Sequence, residues 1–242
     1  GAHNWQAMSI DIEAGLAYIP TQENAFFYAI QEDYKKTGVY KRNPGRWNMG
    51  IEMSSLAQNI LNNLESQPKP GGFLKAFDPL TGETKWSVPI PHYWNGGVLG
   101  TEGGLVFQGD ALGMFSAYDK ETGERLWEFN TYTSMLAPPI TYEVDGEQYV
   151  SILTGSGGGD MFGGEPLPPI EVQASLKYNN FGRLLVFKLG GKKILPIPNV
   201  RDTTIPAQQL TQVSIKQMQN GESNYNDFCA VCHGFIVKSA GG

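Results

Sequence analysis

Residues Ala76–Trp86 read AFDPLTGETKW, and roughly 40 positions later residues Ala117–Trp127 read AYDKETGERLW. The two stretches share the pattern A-x-D-x-x-T-G-E-x-x-W. In such a turn the Asp and, more weakly, the Thr can bond backbone amides, while the Gly supplies a positive φ. The Trp then begins the return strand and presents a large apolar face to the next unit. This period is typical of a four-stranded propeller blade, and Ser9–Asp11 followed by Gly15 is a weaker copy.

Short runs rich in β-branched and aromatic residues, separated by turn residues, predict further strands. Asp145-Gly146 lies between two of these runs and is a strong hairpin signal. Helical periodicity is confined to Ile51–Leu64, in an insertion between blades, and to Ile205–Asn220. The chain is therefore predicted to be all-β, with about three blades, too few to close a ring. The runs read as strands are 104–109, 113–118, 125–129, 139–144, 148–153 and 183–189.

Composition excludes several classes of protein. The chain has 242 residues with 18 basic and 24 acidic side chains, a formal net charge of −6. This acidic balance argues against nucleic acid or an anionic membrane surface as the main partner. No apolar run reaches about 18 residues, so no transmembrane segment is predicted. The chain opens at Gly1 without a visible signal peptide, and it looks like a piece of something larger. The missing signal peptide therefore says nothing about the compartment.

Both cysteines of the chain lie in one C-x-x-C-H motif, Cys229, Cys232 and His233. This spacing lets two thiols add to the vinyl groups of one haem while the adjacent His binds the iron. A redox dithiol, half of a zinc site and chance are the alternatives. A zinc site would need two further ligands, and the other histidines, His3 and His92, lie far upstream. A c-type haem would also imply export to the periplasm, where such attachment occurs.

The segment before this motif predicts the domain organisation. From Gly190 onward the chain is rich in Gly, Lys and Pro and has few apolar pairs, as in a linker. We therefore expect blades over residues 1–189, a linker over 190–212 and the start of a cytochrome c domain over 213–242. All seven methionines precede Cys229, so the second iron ligand cannot be named from this sequence.

Taken together, these motifs resemble the pyrroloquinoline quinone (PQQ)-dependent alcohol dehydrogenases of the quinohaemoprotein type, and the resemblance covers essentially the whole chain. It implies an eight-bladed β-propeller with PQQ and a calcium ion near its axis. The present chain resembles the last blades plus the opening of the cytochrome domain. The residues that carry the resemblance are His3–Gln6, Ala76–Trp86, Trp94–Gly97, Gly103–Gly109, Ala117–Trp127, Ala137–Tyr142 and Cys229–Gly234.

The resemblance also implies which residues meet the cofactor. Asn4 and Trp5 match an Asn-Trp pair that lies at the quinone, where an amide can donate to a quinone oxygen. Trp94 matches an aromatic residue close to the PQQ pocket. The glycine run 155–160 matches the last inner strand, whose backbone amides could hold a PQQ carboxylate. The alternative is structural: Asn4 caps a turn, the two tryptophans pack between blades, and the glycine run is a flexible loop.

No catalytic residue is expected in this chain, because the aspartate base and the calcium ligands of the family belong to earlier blades. Asp11, Asp78 and Asp119 are explained by their turn positions. The implied parent enzyme oxidises a small primary alcohol to an aldehyde and passes electrons through haem to an external cytochrome, copper protein or quinone. We expect the 242-residue chain alone not to oxidise alcohols. A non-catalytic envelope scaffold and a quinoprotein for another substrate class are the competing interpretations.

Overall fold

The computed structural model divides into two compact units. One comprises residues 1–25 and 65–202, and the other comprises 26–64 and 203–242. The predicted helix at Ile51–Leu64 lies outside the described part except for Glu52. The residues that the structure describes are 3–23, 29–41, 50, 52, 71–156, 173–202, 204 and 213–229.

The first unit contains three antiparallel sheets, which we number as blades. Blade 1 runs in the order β1-β2-β3-β4 and blade 2 in the order β5-β6-β7-β8, so each chain segment pairs with the next. The strands of blade 1 are β1 (Ser9–Asp11), β2 (Leu16–Glu23), β3 (Gly71–Phe77) and β4 (Thr84–Ile90). Those of blade 2 are β5 (Val98–Gly100), β6 (Leu105–Gly109), β7 (Met114–Asp119) and β8 (Arg125–Asn130).

Blade 3 has three strands among the described residues, in the order β11-β10-β9. These are β9 (Ile140–Val144), β10 (Glu147–Thr154) and β11 (Arg183–Lys188). Asp145 and Gly146 connect β9 to β10 with φ values of 53° and 77°. Two positive φ values characterise a type I′ hairpin turn, so the predicted hairpin is confirmed. The prediction of an all-β chain with three blades is also confirmed.

The described residues contain three short helices: α1 (Glu32–Thr37), α2 (Ala174–Lys177) and α3 (Ile215–Asn224). Helix α3 overlaps the end of the predicted helix Ile205–Asn220, of which residues 205–212 lie outside the described part, and Ser214 caps its first turn. The Ser214 hydroxyl accepts from the Gln217 N–H, and the Gln217 side chain accepts from the Ser214 N–H. A π-helical turn, Tyr225–Cys229, follows α3. In the described part of the chain, every helix is too short or too polar to cross a membrane.

The two full copies of the turn motif form the same structure. Asp78 Oδ1 accepts from the amides of Leu80 and Thr81 at 2.9 and 3.1 Å. In the second copy, Asp119 Oδ1 accepts from the amides of Glu121 and Thr122, both at 2.9 Å. Both copies join the third strand of a blade to the fourth. The weaker copy at Asp11 differs, because it joins the first strand to the second.

The blades stack face to face through apolar side chains. Between blades 1 and 2, Tyr18, Leu74 and Trp86 pack with Val98, Val106 and others. Between blades 2 and 3, the buried cluster consists of Phe115, Met135 and Ile152, with partly buried Phe107, Val150, Leu185 and Phe187 packed against it. The hydrophobic faces of neighbouring sheets thus exclude water from each other, which is the main stabilising contribution to this arrangement.

The innermost segments of the three blades are joined by backbone contacts. The Val98 amide donates to the Ala7 carbonyl at 3.0 Å, and the Gly97 amide donates to the Leu136 carbonyl at 3.4 Å. Met135 in turn pairs with Gly155 in an isolated parallel bridge. The segments that precede β1, β5 and β9 therefore lie side by side. We call this region the inner end.

Candidate functional site

The structure brings three sequence-predicted residues together at the inner end. The rings of Trp5 and Trp94 meet edge to face, with centroids 5.9 Å apart and planes inclined by 70°. Trp94 is 7% exposed and Trp5 is 56% exposed. Asn4 is exposed beside them, and its Oδ1 accepts from the Trp5 amide at 2.9 Å. The Asn4 amide group makes no other hydrogen bond to the described residues, so its N–H groups can donate to a ligand.

Close backbone approach explains the glycines after Trp94. A Cβ at Gly96 would lie 2.8 Å from the Gly109 carbonyl oxygen and 3.0 Å from that of Met135. A Cβ at Gly97 would lie 2.9 Å from the Ala7 amide nitrogen. Neither glycine has a positive φ, so neither is needed for a left-handed backbone conformation. Their role is to let the innermost segments of three blades touch.

His92 and Asn95 hold the loop that carries Trp94. The Trp94 amide donates to His92 Nδ1 at 3.0 Å, and the Asn95 side-chain amide donates to the His92 carbonyl. Burial lowers the pKa of His92 below its usual range. The ring is therefore neutral at physiological pH, with its proton on Nε2 because Nδ1 accepts. In the sequence, the only indication that His92 positions this loop is that it lies two positions before Trp94.

Asp110 is a buried acid at the inner end that sequence reasoning missed. It follows β6, and its Oδ1 accepts from the Met114 amide at 2.8 Å. Its carbonyl accepts from the Met135 amide at 3.0 Å, which ties blade 2 to the segment before β9. Burial raises the pKa of the Asp110 carboxyl to about 6. The sequence indicated only a turn here, because a local pattern does not show that an aspartate will be buried.

The glycine run enters the same region. The Gly155 amide donates to the Ser134 carbonyl at 2.8 Å. The Ser156 amide donates to Asn180 Oδ1 at 2.9 Å, and Ser156 is buried. Residues 157–160 of the run lie outside the described part, so its predicted contact with a carboxylate stays a prediction.

The predicted haem residues fall mostly outside the described part of the chain. Cys229 is the last residue of the π-helical turn after α3, and only its backbone is described. Cys232 and His233 lie beyond it. Their assignment to a haem stays a prediction. Within the described ranges, no three His, Cys, Asp or Glu side chains come together in a way that could hold a metal ion.

These features define a class of protein. Stacked antiparallel sheets with Trp-ended turns are blades of a β-propeller, and paired tryptophans beside the exposed Asn4 amide make a candidate ligand site at the inner end. Comparison with known families agrees with this assignment. Residues 1–150 match the PQQ glucose/ethanol/alcohol dehydrogenase β-propeller domain family. The chain belongs to this family.

The curated proteins that the chain resembles include an alcohol dehydrogenase and a hydroxylase. It is 38% identical over 246 residues to the quinohemoprotein alcohol dehydrogenase ADH IIB of Pseudomonas putida, covering 100% of this chain and 33% of that protein. It is 35% identical over 245 residues to lupanine 17-hydroxylase [cytochrome c] of a Pseudomonas species, covering 99% of this chain and 31% of that protein. The chain spans about a third of the length of these curated relatives.

A solved structure agrees with the fold. The crystal structure of quinohemoprotein alcohol dehydrogenase from Comamonas testosteroni matches with a TM-score of 0.67 at 33% sequence identity. The match covers 97% of this chain and 32% of that chain. The predicted family, a quinohaemoprotein alcohol dehydrogenase, is confirmed by these similarities.

Proposed function

We propose that this chain forms part of a quinohaemoprotein alcohol dehydrogenase that oxidises primary alcohols to aldehydes with PQQ and delivers the electrons to a c-type haem. The observation that carries the proposal is the meeting of Trp5 and Trp94 beside the Asn4 amide at the inner end of the blades. The family match over residues 1–150 supports it. The periplasm is the proposed location, because c-type haem is attached outside the bacterial cytoplasm.

The residues present fit a planar quinone. Trp5 is more than half exposed, so part of its ring can contact a flat aromatic ligand. Trp94 packs against Trp5 and restricts its orientation. Asn4 Oδ1 is occupied by the Trp5 amide, so Asn4 presents its N–H donors to a quinone oxygen. PQQ supplies the carbonyl carbon that accepts hydride from the alcohol.

Within this site the chain would bind and polarise rather than transfer protons. Asn4 would stabilise negative charge developing on the quinone oxygen. His92 is neutral and buried, and its Nδ1 is engaged by the Trp94 amide, so it orients the Trp94 loop. We assign the aspartate base and the calcium ligands to the parts of the relatives that this chain does not span. Cys229, Cys232 and His233 would hold the haem, which would reduce an external acceptor one electron at a time.

The role of Asn4 is tested in a chimera in which this chain replaces the matching third of ADH IIB. We expect PQQ-dependent ethanol oxidation by the chimera. Asn4→Ala should lower kcat about 10²-fold, the size of effect seen when one such donor is removed, with little change in the KM for ethanol. The matched control is Asn130→Ala, since Asn130 Oδ1 also caps a nearby amide, that of Tyr132 at 2.8 Å. Equal kcat in both variants would assign Asn4 to turn capping.

The haem assignment is tested on the chain itself. Expressed in a bacterial periplasm with cytochrome c maturation factors, it should show a Soret band and carry haem that survives denaturing electrophoresis. Cys229→Ser and Cys232→Ser should each weaken or abolish the covalent attachment. Absence of a Soret band in the unsubstituted chain would contradict the haem assignment and favour a non-catalytic propeller scaffold.

A quinoprotein for another substrate class is the second candidate, favoured by the similarity to lupanine 17-hydroxylase. The same chimera distinguishes the two. Turnover of ethanol or butan-1-ol supports the alcohol enzyme. PQQ binding without turnover of any primary alcohol would support the second candidate.

A further inference from the structure

A series of buried hydrogen bonds links the loop that carries Trp94, before blade 2, to the Gly155–Ser156 backbone in blade 3. It begins at the peptide groups of Ala111, in the turn after β6. The Ala111 amide donates to Asn95 Oδ1 at 3.2 Å. The Ala111 carbonyl accepts from Ser134 Oγ at 2.7 Å and from the Ala174 amide at 2.9 Å. The loop that carries Trp94 is thereby connected to Ser134 and to the start of α2.

Ser134 and Ser175 continue this series, because two hydrogen bonds join them. The Ser134 amide donates to Ser175 Oγ at 3.0 Å, and the Ser175 amide donates to Ser134 Oγ at 3.1 Å. Both serines are fully buried. Buried polar groups that are fully satisfied hold a unique geometry, since any displacement leaves a donor without a partner.

Asn180 connects this series of hydrogen bonds to the glycine run. Its single oxygen, Oδ1, accepts from Ser175 Oγ at 3.2 Å and from the Ser156 amide at 2.9 Å. Gly155 has a φ of 127°, a conformation that side chains disfavour, and among the described residues a Cβ at that position would meet Asn180 Oδ1 and Gly182 Cα within 4 Å. The amides of both residues are hydrogen-bonded, that of Gly155 to the Ser134 carbonyl and that of Ser156 to Asn180 Oδ1. Asn180 itself is exposed.

We propose that Asn180 is a positioning residue for the cofactor, because its Oδ1 fixes the Gly155–Ser156 backbone at the inner end relative to the Trp94–Asn95 loop. This inference rests on the proposed function, since it takes PQQ as the ligand of the inner end. Asn180 contacts no reacting atom. It acts through the amide of Ser156, which it orients, and through Ser175, which ties it to Ser134 and Asn95.

The exposure of Asn180 makes a clean experiment possible, because truncating it creates no buried cavity. Asn180→Ala removes the acceptor, whereas Asn180→Asp retains it. Asn179→Ala changes the exposed neighbour, whose side chain makes no hydrogen bond to the described residues. The three variants are made in the ADH IIB chimera, and the apoenzyme is titrated with PQQ while tryptophan fluorescence is followed.

We expect Asn180→Ala to raise the Kd for PQQ at least tenfold. Asn180→Asp and Asn179→Ala should stay within about threefold of the unsubstituted chimera, with melting temperatures close to one another. Equal PQQ affinity in Asn180→Ala and the unsubstituted chimera would overturn the proposal. So would equal weakening by Asn180→Ala and Asn179→Ala.

Amide hydrogen exchange on the present chain separates this inference from the proposed function. Asn180→Ala should speed exchange at Ser156 at least tenfold, and Asn179→Ala should not. If the unsubstituted chimera fails to bind PQQ, the proposed function is wrong, and the cofactor role of Asn180 with it. If PQQ binds and Ser156 exchanges equally fast in all variants, only the positioning role is wrong.

Discussion

The two copies of the repeated turn differ in the surroundings of their tryptophans. Trp86 is 9% exposed, and its Nε1 donates to the Lys120 carbonyl at 3.0 Å. Its ring lies against Gly123 of the next copy. Trp127 is 40% exposed and makes no side-chain hydrogen bond to the described residues. It packs edge to face against Phe187 of blade 3, with centroids 5.5 Å apart.

The cause of this difference lies in the neighbouring blade. Blade 2 presents the second copy of the turn to Trp86, with Gly123 in a positive-φ conformation and the Lys120 carbonyl turned toward the indole. Blade 3 presents β11, after which the chain turns at Gly190 without an Asp-Thr-Gly pattern. The shared turn motif therefore gives the same turn in both copies, while the burial of each tryptophan depends on what packs against it.

Truncating the two tryptophans should have unequal effects. Trp86→Ala should lower the free energy of unfolding by about 3–5 kcal/mol, because it removes a buried indole and leaves a cavity between blades. Trp127→Ala should cost about 1–2 kcal/mol, since much of its surface is already exposed. Urea denaturation of the chain, followed by circular dichroism, measures both.

A third variant separates packing from hydrogen bonding. Trp86→Phe keeps most of the apolar surface and removes the donor to the Lys120 carbonyl, so it should cost clearly less than Trp86→Ala. Equal losses for Trp86→Ala and Trp127→Ala would contradict the docking of Trp86 on blade 2.

The glycines of the two turns sharpen the same comparison. Gly82 and Gly123 have φ values of 78° and 75°, which disfavour a side chain in both turns. Gly82→Ala should cost about 1–2 kcal/mol for this strain alone, because a Cβ there meets nothing within 4 Å. Gly123→Ala should cost about 1–3 kcal/mol more, since its Cβ would lie 2.8 Å from a Trp86 ring carbon.

Thermal denaturation of the two alanine variants gives the test. In a Trp86→Ala background the extra cost of Gly123→Ala should shrink, because the two Trp86 contacts are removed and that with Val88 Cγ2 at 3.0 Å remains, while the cost of Gly82→Ala should persist. If the extra cost of Gly123→Ala persisted, strain at position 123 would have another origin.

Asp110 and Asp119, each of which begins a turn of blade 2, should affect stability in opposite directions as the pH changes. Burial raises the pKa of Asp110 to about 6, above its value of about 3.9 in an unfolded chain. The fold therefore binds the proton more tightly, and stability falls as pH rises from about 4 to 6. Asp110→Asn keeps an acceptor for the Met114 amide, so it should raise the free energy of unfolding at pH 7.5 by about 1–3 kcal/mol and leave it unchanged at pH 4.

Asp119→Asn is the control with the opposite sign. Backbone amides of Thr122 and Glu121 hold the pKa of Asp119 below its usual value. The stability from this carboxylate is present above about pH 4 and is lost as the pH falls through the pKa of the folded state. Asp119→Asn should therefore destabilise at pH 7.5, by an amount that shrinks in acid. A destabilising Asp110→Asn at pH 7.5 would mean that this carboxyl is stabilised as an anion.

Local sequence predicted much of the fold. The Asp-to-Gly turns, the Asp145-Gly146 hairpin and the strands followed from residues within a few positions of one another, and each was confirmed. The weaker copy at Asp11 also forms a turn, but it joins the first two strands of its blade, because the Asp-to-Gly step does not specify which pair of strands it joins. Helix α1 was missed, since its six residues bury no side chain and carry no apolar stripe.

The site required more than local pattern. Asn4, Trp5 and Trp94 were identified from family resemblance, and the structure brings them together from segments about 90 residues apart in sequence. Asp110 and Asn180 carried no signal, because the burial of one and the hydrogen bonds of the other are supplied by distant segments.

What the sequence determined by itself was the repeating turn and the strands beside it, because φ angles and short hydrogen bonds depend on adjacent residues. Only the tertiary structure decided which tryptophan is buried, which aspartate has a raised pKa and which amides meet Asn180. Those properties arise where sheets stack, and there the neighbouring blade, rather than the local sequence, supplies the solvent exclusion and the hydrogen-bond partners.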